Sequence, residues 1–163
     1  FADELAKYKE SLKLPADDAD RFARNVMKAI ELARTRYVKD VTAGEWGAMA
    51  INGLYYKLDE PVPADVAREL RNAKGLTRSR LQELLKDVRE RLGKREDLDG
   101  VKDVDTALSW MFIENRDPYT TYIDEDTIRK WESGIKGEFR GVGIQIRRDL
   151  TRDGLLVVSP IKD

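Results

Sequence analysis

Residues 137–149 read GEFRGVGIQIRRD, and they mark the point at which the texture of the chain changes. Gly141 and Gly143 flank a single valine, after which Ile144, Gln145 and Ile146 alternate apolar and polar in the period of a strand. A second run, GLLVVSPI at 154–161, is β-branched, and DLTRDG at 149–154 supplies the turn between them. Two strands joined as a hairpin are therefore predicted at this end of the chain. Everything before Gly137 reads as helix.

Upstream, DDADRFARNVMKAIELARTRYV at 17–38 places Phe22, Val26, Ile30, Ala33 and Tyr37 at three- and four-residue spacing, acidic at its start and basic towards its end. This is the pattern of an amphipathic helix aligned with its dipole. Pro15 separates it from a shorter predicted helix over 2–13, with Leu5, Tyr8 and Leu12 on one side. The string T-x-x-E at Thr42 to Glu45 is a capping box that opens a third helix running to about Leu58. Two more follow, in PADVARELRNAKG and TRSRLQELLKDVRERLG, with Gly75 and Gly93 placed to end them in the left-handed conformation. In the latter, Leu81, Leu84, Leu85, Val88 and Leu92 form an apolar stripe. After the polar linker KREDLDG, a helix from about Asp103 to Asn115 carries Val104, Leu108, Met111 and Phe112 inward. A turn at Asp117-Pro118 then leads to a helix that Asp124 caps and Gly134 is expected to end. The fold class is mainly α: a helical bundle over 1–136, then a short β-hairpin over 137–163.

Composition narrows the function. Thirty basic and thirty-one acidic side chains leave a net charge of −1, so no overall field draws the chain to nucleic acid or to an anionic membrane. The mean hydropathy is −0.59, and no apolar run approaches the ~20 residues of a membrane span. No signal-like segment opens the chain, so a targeting peptide is expected to have been removed or never to have been present. There is neither cysteine nor histidine, which removes disulfides, thiolate chemistry, histidine-based triads and histidine-ligated zinc. The absence of cysteine fits an oxidising compartment.

Ser-Lys, Thr and carboxylate chemistry remain if the chain is itself catalytic, and S-x-x-K occurs twice, at Ser133 to Lys136 and at Ser159 to Lys162. The first sits where Gly134 is expected to end a helix and the second carries Pro160, so neither is expected to supply the helical turn that the pair needs. The acidic run Asp124 to Thr127 fits a helix N-terminus better than a cation site, and no metal or cofactor is expected. The G-x-G stretch is more promising. The N–H groups of Val142, Gly143 and Ile144 can converge on an anion as a backbone nest, with a peptide whose terminal carboxylate sits there lying along 144–148 as an added strand. From the pattern alone the simpler reading is favoured, in which the two glycines make a bulge at the start of a buried strand.

The residues then become familiar. RDPYTTYIDEDTIRKWESGIKGEFRGVGIQI, followed by DGLLVVSPIKD, resembles the junction leading into the PDZ domain of the carboxyl-terminal processing peptidases, or tail-specific proteases. The resemblance covers about 104–163. It is weaker in RYVKDVTAGEWGAMAINGLYYKLD, which is similar to the helical stretch preceding that domain. In the family this helix usually runs straight into the D-P turn, so residues 60–103 are expected to be an inserted helical pair.

The resemblance implies a parent serine endopeptidase with a Ser-Lys dyad, extracytoplasmic in location, that recognises substrate proteins by their C-termini. It places the dyad beyond Asp163, so no catalytic residue is assigned here and this chain alone is expected to be an inactive N-terminal fragment holding the first two strands of an incomplete PDZ domain. It assigns carboxylate binding to Gly141, Val142, Gly143 and Ile144, with Arg140, which stands where the family often has glycine or a small residue, adding charge attraction, and peptide strand pairing to Gln145, Ile146 and Arg147. Two competing expectations are a non-catalytic PDZ-bearing adaptor and a helical module that forms homo-oligomers through its N-terminal helices.

Overall fold

The computed structural model describes residues 12–136, 144–149 and 154–160. It is mainly helical, with an antiparallel two-stranded hairpin near the C-terminus. Six α-helices lie among the described residues: α1 (Ala16–Arg36), α2 (Ala43–Lys57), α3 (Ala64–Arg71), α4 (Arg78–Leu92), α5 (Lys102–Glu114) and α6 (Glu125–Lys136). Strands β1 (Ile144–Asp149) and β2 (Gly154–Pro160) follow. The chain forms two compact units, the first ending at Tyr122 and the second beginning at Ile123. The helix expected over 2–13 falls almost wholly outside the described residues; Leu12 lies in a turn, and its carbonyl accepts from the Lys94 N–H at 2.7 Å.

The first unit is built on α2. Its N-terminus is the capping box expected from sequence: the Glu45 N–H donates to Thr42 Oγ1 at 3.2 Å, and the Thr42 N–H donates back to Glu45 Oε2 at 2.9 Å. Trp46, Ala50, Ile51 and Leu54 are fully buried. Glycines set how closely its neighbours approach. A Cβ on Gly53 would stand 2.1 Å from Cβ of Trp110, and one on Gly47 would stand 2.3 Å from Cδ1 of Leu81. α5 and α4 therefore pack directly against the α2 backbone.

α1 buries Phe22, Val26, Ile30 and Ala33 as its periodicity requires, together with Ala19, Ala23 and Met27. It ends at Arg36; Tyr37 is extended and half-buried, packing its ring edge-on against Trp46 with centroids 5.3 Å apart. α4 sends Leu81, Leu84, Leu85 and Val88 into the same core, and α5 adds Ala107, Leu108 and Met111. Val104 and Phe112 are only partly buried and pack on its margin.

The 60–103 stretch is not an appendage on this core. Val66, Leu81, Leu84, Leu85, Val88 and Leu98, all within it, belong to the one apolar cluster that also holds Phe22 and Trp46. Two turn expectations are corrected. Gly75 is not left-handed: α3 stops at Arg71, and Ala73–Gly75 form a 3-10 turn instead. Gly93 does take positive φ, at +68°, and its carbonyl accepts from Arg89 Nη1 at 2.7 Å.

That hydrogen bond belongs to a buried polar cluster. Arg89 and Asp103, with side chains 3% and 2% exposed, pair at 2.8 Å through Nε and Oδ2. Arg89 Nη2 also donates to the Leu98 carbonyl at 3.1 Å, and Asp103 Oδ1 accepts from the Val104 N–H at 2.7 Å. One guanidinium thus ties the end of α4, the loop after it and the start of α5.

In the second unit, α6 starts on the cap expected of Asp124, whose Oδ1 accepts from the Thr127 N–H at 2.7 Å. The helix does not end at Gly134 but continues to Lys136. A single glycine weakens a helix by only about 1 kcal/mol relative to alanine, which flanking turns readily absorb. Ile128, Trp131 and Ile135, spaced along one side of α6, are exposed.

Candidate functional site

The strand-forming alternation after Gly143 produces β1, which pairs antiparallel with β2. Gln145 lies opposite Ser159, Ile146 opposite Val157 and Arg147 opposite Leu156. The register shifts between Gln145 and Ile146, so Val158 has no counterpart and forms a bulge on β2. A bulge sharpens local twist and re-aims the strand beyond it. Ser159 Oγ donates to Gln145 Oε1 at 3.3 Å across this point.

Ile144, Gln145, Ile146 and Arg147 all lie on β1 and are exposed, as are Leu156, Val157 and Val158 on β2. The remaining carboxylate-binding residues expected from sequence, Arg140, Gly141, Val142 and Gly143, lie outside the described residues. Among the described residues the sheet has two strands, so β1 keeps one edge unpaired. An open edge of this kind presents alternate N–H and C=O groups to an extended chain.

The two S-x-x-K strings fare differently. Contrary to expectation, Ser133 and Lys136 do fall within one helix, because α6 runs through Gly134. Residues 131–135 are nonetheless exposed. A lysine acts as a base when it is desolvated, and no such shelter surrounds Ser133. Ser159 lies on β2 and donates to Gln145, whereas Lys162 lies outside the described residues. In the acidic run, hydrogen bonds from the Thr127 side chain and N–H hold the Asp124 carboxyl below its ordinary range. That carboxylate is a helix cap.

The D-P turn that carries much of the resemblance is a tightly bonded corner of the first unit. Asp117 Oδ1 accepts from the Tyr119 N–H at 3.0 Å, and Oδ2 accepts from Thr120 Oγ1 at 3.0 Å. These bonds, led by the Tyr119 N–H and joined by one from the Tyr37 hydroxyl, lower the Asp117 pKa. Asn115 Nδ2 donates to Tyr37 Oη at 2.7 Å, and the Tyr122 hydroxyl donates to Asp105 at 2.6 Å. The aspartate, hydroxyls and aromatics of this motif fix the exit of α5 onto α1.

Beside the corner runs a groove of about 560 Å³, lined by Phe112, Ile113, Arg116, Asp117, Pro118, Thr120 and Thr121. Arg116 adopts φ +54°, a conformation uncommon for a side chain of its size. Nothing in the sequence signalled either this groove or the strained arginine. The only available cue, an arginine just before Asp-Pro, reads as ordinary surface charge.

Comparison with known proteins connects part of the chain to one group. No family model matches, and no solved structure matches. A stretch of 65 residues is 38% identical to the carboxy-terminal processing protease CtpA of Bacillus subtilis (strain 168), covering 39% of this chain and 13% of that protein. A stretch of 69 residues is 29% identical to a probable CtpA-like serine protease of Staphylococcus aureus (strain COL), covering 42% of this chain and again 13% of the relative. Over about two fifths of its length, then, the chain is similar to a small part of the carboxy-terminal processing proteases.

Proposed function

We propose that this chain is part of a carboxyl-terminal processing serine protease, and that its hairpin begins a PDZ domain which receives the C-terminal tails of substrate proteins. The observation that carries the proposal is β1: an exposed strand directly after the G-x-G stretch, with one edge unpaired among the described residues. Similarity to proteins named as processing proteases supports the protease reading.

In this mechanism the nest of residues 140–144 holds the tail carboxylate through backbone N–H groups, with Arg140 adding charge. Gln145, Ile146 and Arg147 pair with the tail as an added strand. Capture at this edge raises the local concentration of the tail near a catalytic site, so recognition and cleavage are separate tasks. The Ser-Lys dyad of the parent enzyme lies outside residues 1–163, and its location is extracytoplasmic.

The test is a titration of the chain, extended through the remainder of the PDZ domain, with a peptide ending in an apolar residue and with its C-terminally amidated twin. Binding that requires the free carboxylate supports tail recognition. Equal binding of the twins, or none, reduces the glycine pair to a structural bulge and refutes the proposal.

A further inference from the structure

The groove beside the D-P turn has features that its structural role does not use. Asp117, Thr120 and Pro118 account for the corner itself. Arg116 does not: its guanidinium makes no hydrogen bond or ion pair among the described residues, although it lines the groove and is exposed. Its backbone is held at φ +54°, where glycine or asparagine would be more comfortable. Ile113, on the same wall, is 57% exposed, and Phe112 and Pro118 extend this apolar lining.

The electrostatics favour an anion. Asp117 is the one carboxylate in the lining, and it is occupied by hydrogen bonds from Tyr119, Thr120 and Tyr37. Lys39 is close enough to act on Asp117 and adds a second cation to this corner. An apolar lining that includes a guanidinium without a partner among the described residues is complementary to a carboxylate carried on an apolar body. Thr121, at the rim, makes no main-chain hydrogen bond to another backbone group among the described residues. Its N–H and C=O suit the amide groups of a peptide better than the bare chain of a fatty acid.

We propose that this groove binds the free C-terminus of a polypeptide with an apolar last residue, with Arg116 pairing the carboxylate and Ile113 and Phe112 receiving the side chain. This site lies wholly within the first unit and does not depend on the hairpin. A second tail-binding site on the helical unit would compete with the strand for the same carboxylate, or hold the new C-terminus of a cleaved product after its release from the strand.

The experiment uses the full chain and fluorescence anisotropy of a labelled tetrapeptide, Gly-Ala-Leu-Val, with a free or an amidated C-terminus. Amidation is expected to weaken binding at least tenfold, and Arg116→Gln is expected to do the same. Arg116→Lys should restore part of the loss, since a point charge replaces the fork. Arg116→Gly should abolish binding while raising the melting temperature, because it relieves the backbone; a merely structural arginine would not separate the two effects. Ile146→Pro, which disrupts the β1 edge assigned above to the tail, should remove only the hairpin's share of the binding, and the share that remains should still be lost with Arg116→Gln. If Ile146→Pro removes binding and Arg116→Gln does not, the tail sits on the hairpin and this proposal is wrong. Equal affinity for the two peptides also overturns it, as does octanoate displacing the label at lower concentration than the unlabelled peptide.

Discussion

The buried Arg89–Asp103 pair gives the sharpest test of how this helical unit is held. Both side chains are almost fully withdrawn from water, and the pair closes at 2.8 Å. Asp103→Leu would leave the guanidinium buried with only the Gly93 and Leu98 carbonyls as partners. Removing one member of such a pair costs about 3–5 kcal/mol, because the remaining charge loses its compensation in a low-dielectric setting. That is a large part of the ~5–15 kcal/mol by which a domain is stable. Arg89→Met strands the carboxylate instead and should cost a similar amount. The double variant Arg89→Met/Asp103→Leu leaves no charge buried. Its main deficit is three backbone groups that lose a partner, the Gly93 and Leu98 carbonyls and the Val104 N–H, at about 1 kcal/mol each, so about 3 kcal/mol in all. Asp103→Asn, which keeps an acceptor for Nε, should fall between the wild type and Asp103→Leu. Urea denaturation followed by circular dichroism at 222 nm measures each value. A double variant as unstable as the two single losses added together would refute the reasoning, and so would an Asp103→Leu loss below about 1 kcal/mol.

Three further outcomes are expected. Gly53→Ala should destabilise the chain by about 1–2 kcal/mol despite alanine's better helix propensity, because the new Cβ would meet Trp110 Cβ at 2.1 Å; a melting temperature at or above wild type would contradict this. Glu45, whose pKa is lowered chiefly by the Thr42 N–H, has a folded value below its unfolded one. Its contribution is therefore present above the unfolded pKa and is lost as pH falls through the folded one, so the stability gap between wild type and Glu45→Gln should be widest at neutral pH and close in acid. Deleting residues 60–103 and joining the ends with a short linker should unfold the first unit rather than leave a smaller domain, because Leu81, Leu84, Leu85 and Val88 leave the core with it; a cooperative melt in the deletion variant would show that stretch to be dispensable.

The helices were legible because their signals are local. The periodic apolar residues of α1, the Thr42–Glu45 box and the Asp124 cap each act within one or two turns, and each appears where the sequence placed it. Glycine was less informative. Gly93 ends α4 at positive φ, whereas Gly134 lies inside α6 and Gly75 inside a 3-10 turn. The same residue type serves as a stop, a tolerated interior position or a place of close approach, and only its neighbours distinguish these uses. Gly53 belongs to the last group, through Trp110 on a helix that begins almost fifty residues later in the chain.

For the candidate site, sequence alternation was enough to place Ile144 to Arg147 on a strand, and the V-V-S-P run was enough to place its partner. The one-residue shift that turns Val158 into a bulge depends on how the two strands meet, which no single strand encodes. The chain by itself determined that helices precede a hairpin, where most of them begin, and which chemistry its missing histidine and cysteine remove. Tertiary structure decided that residues 60–103 share one core with α1 and α2, and that Arg89 is a buried tie while Arg116, without a partner among the described residues, lines a groove with Phe112 and Ile113. The physical reason is range: capping and periodicity act over a few residues, whereas burial and charge pairing depend on which distant segments the packed core brings together.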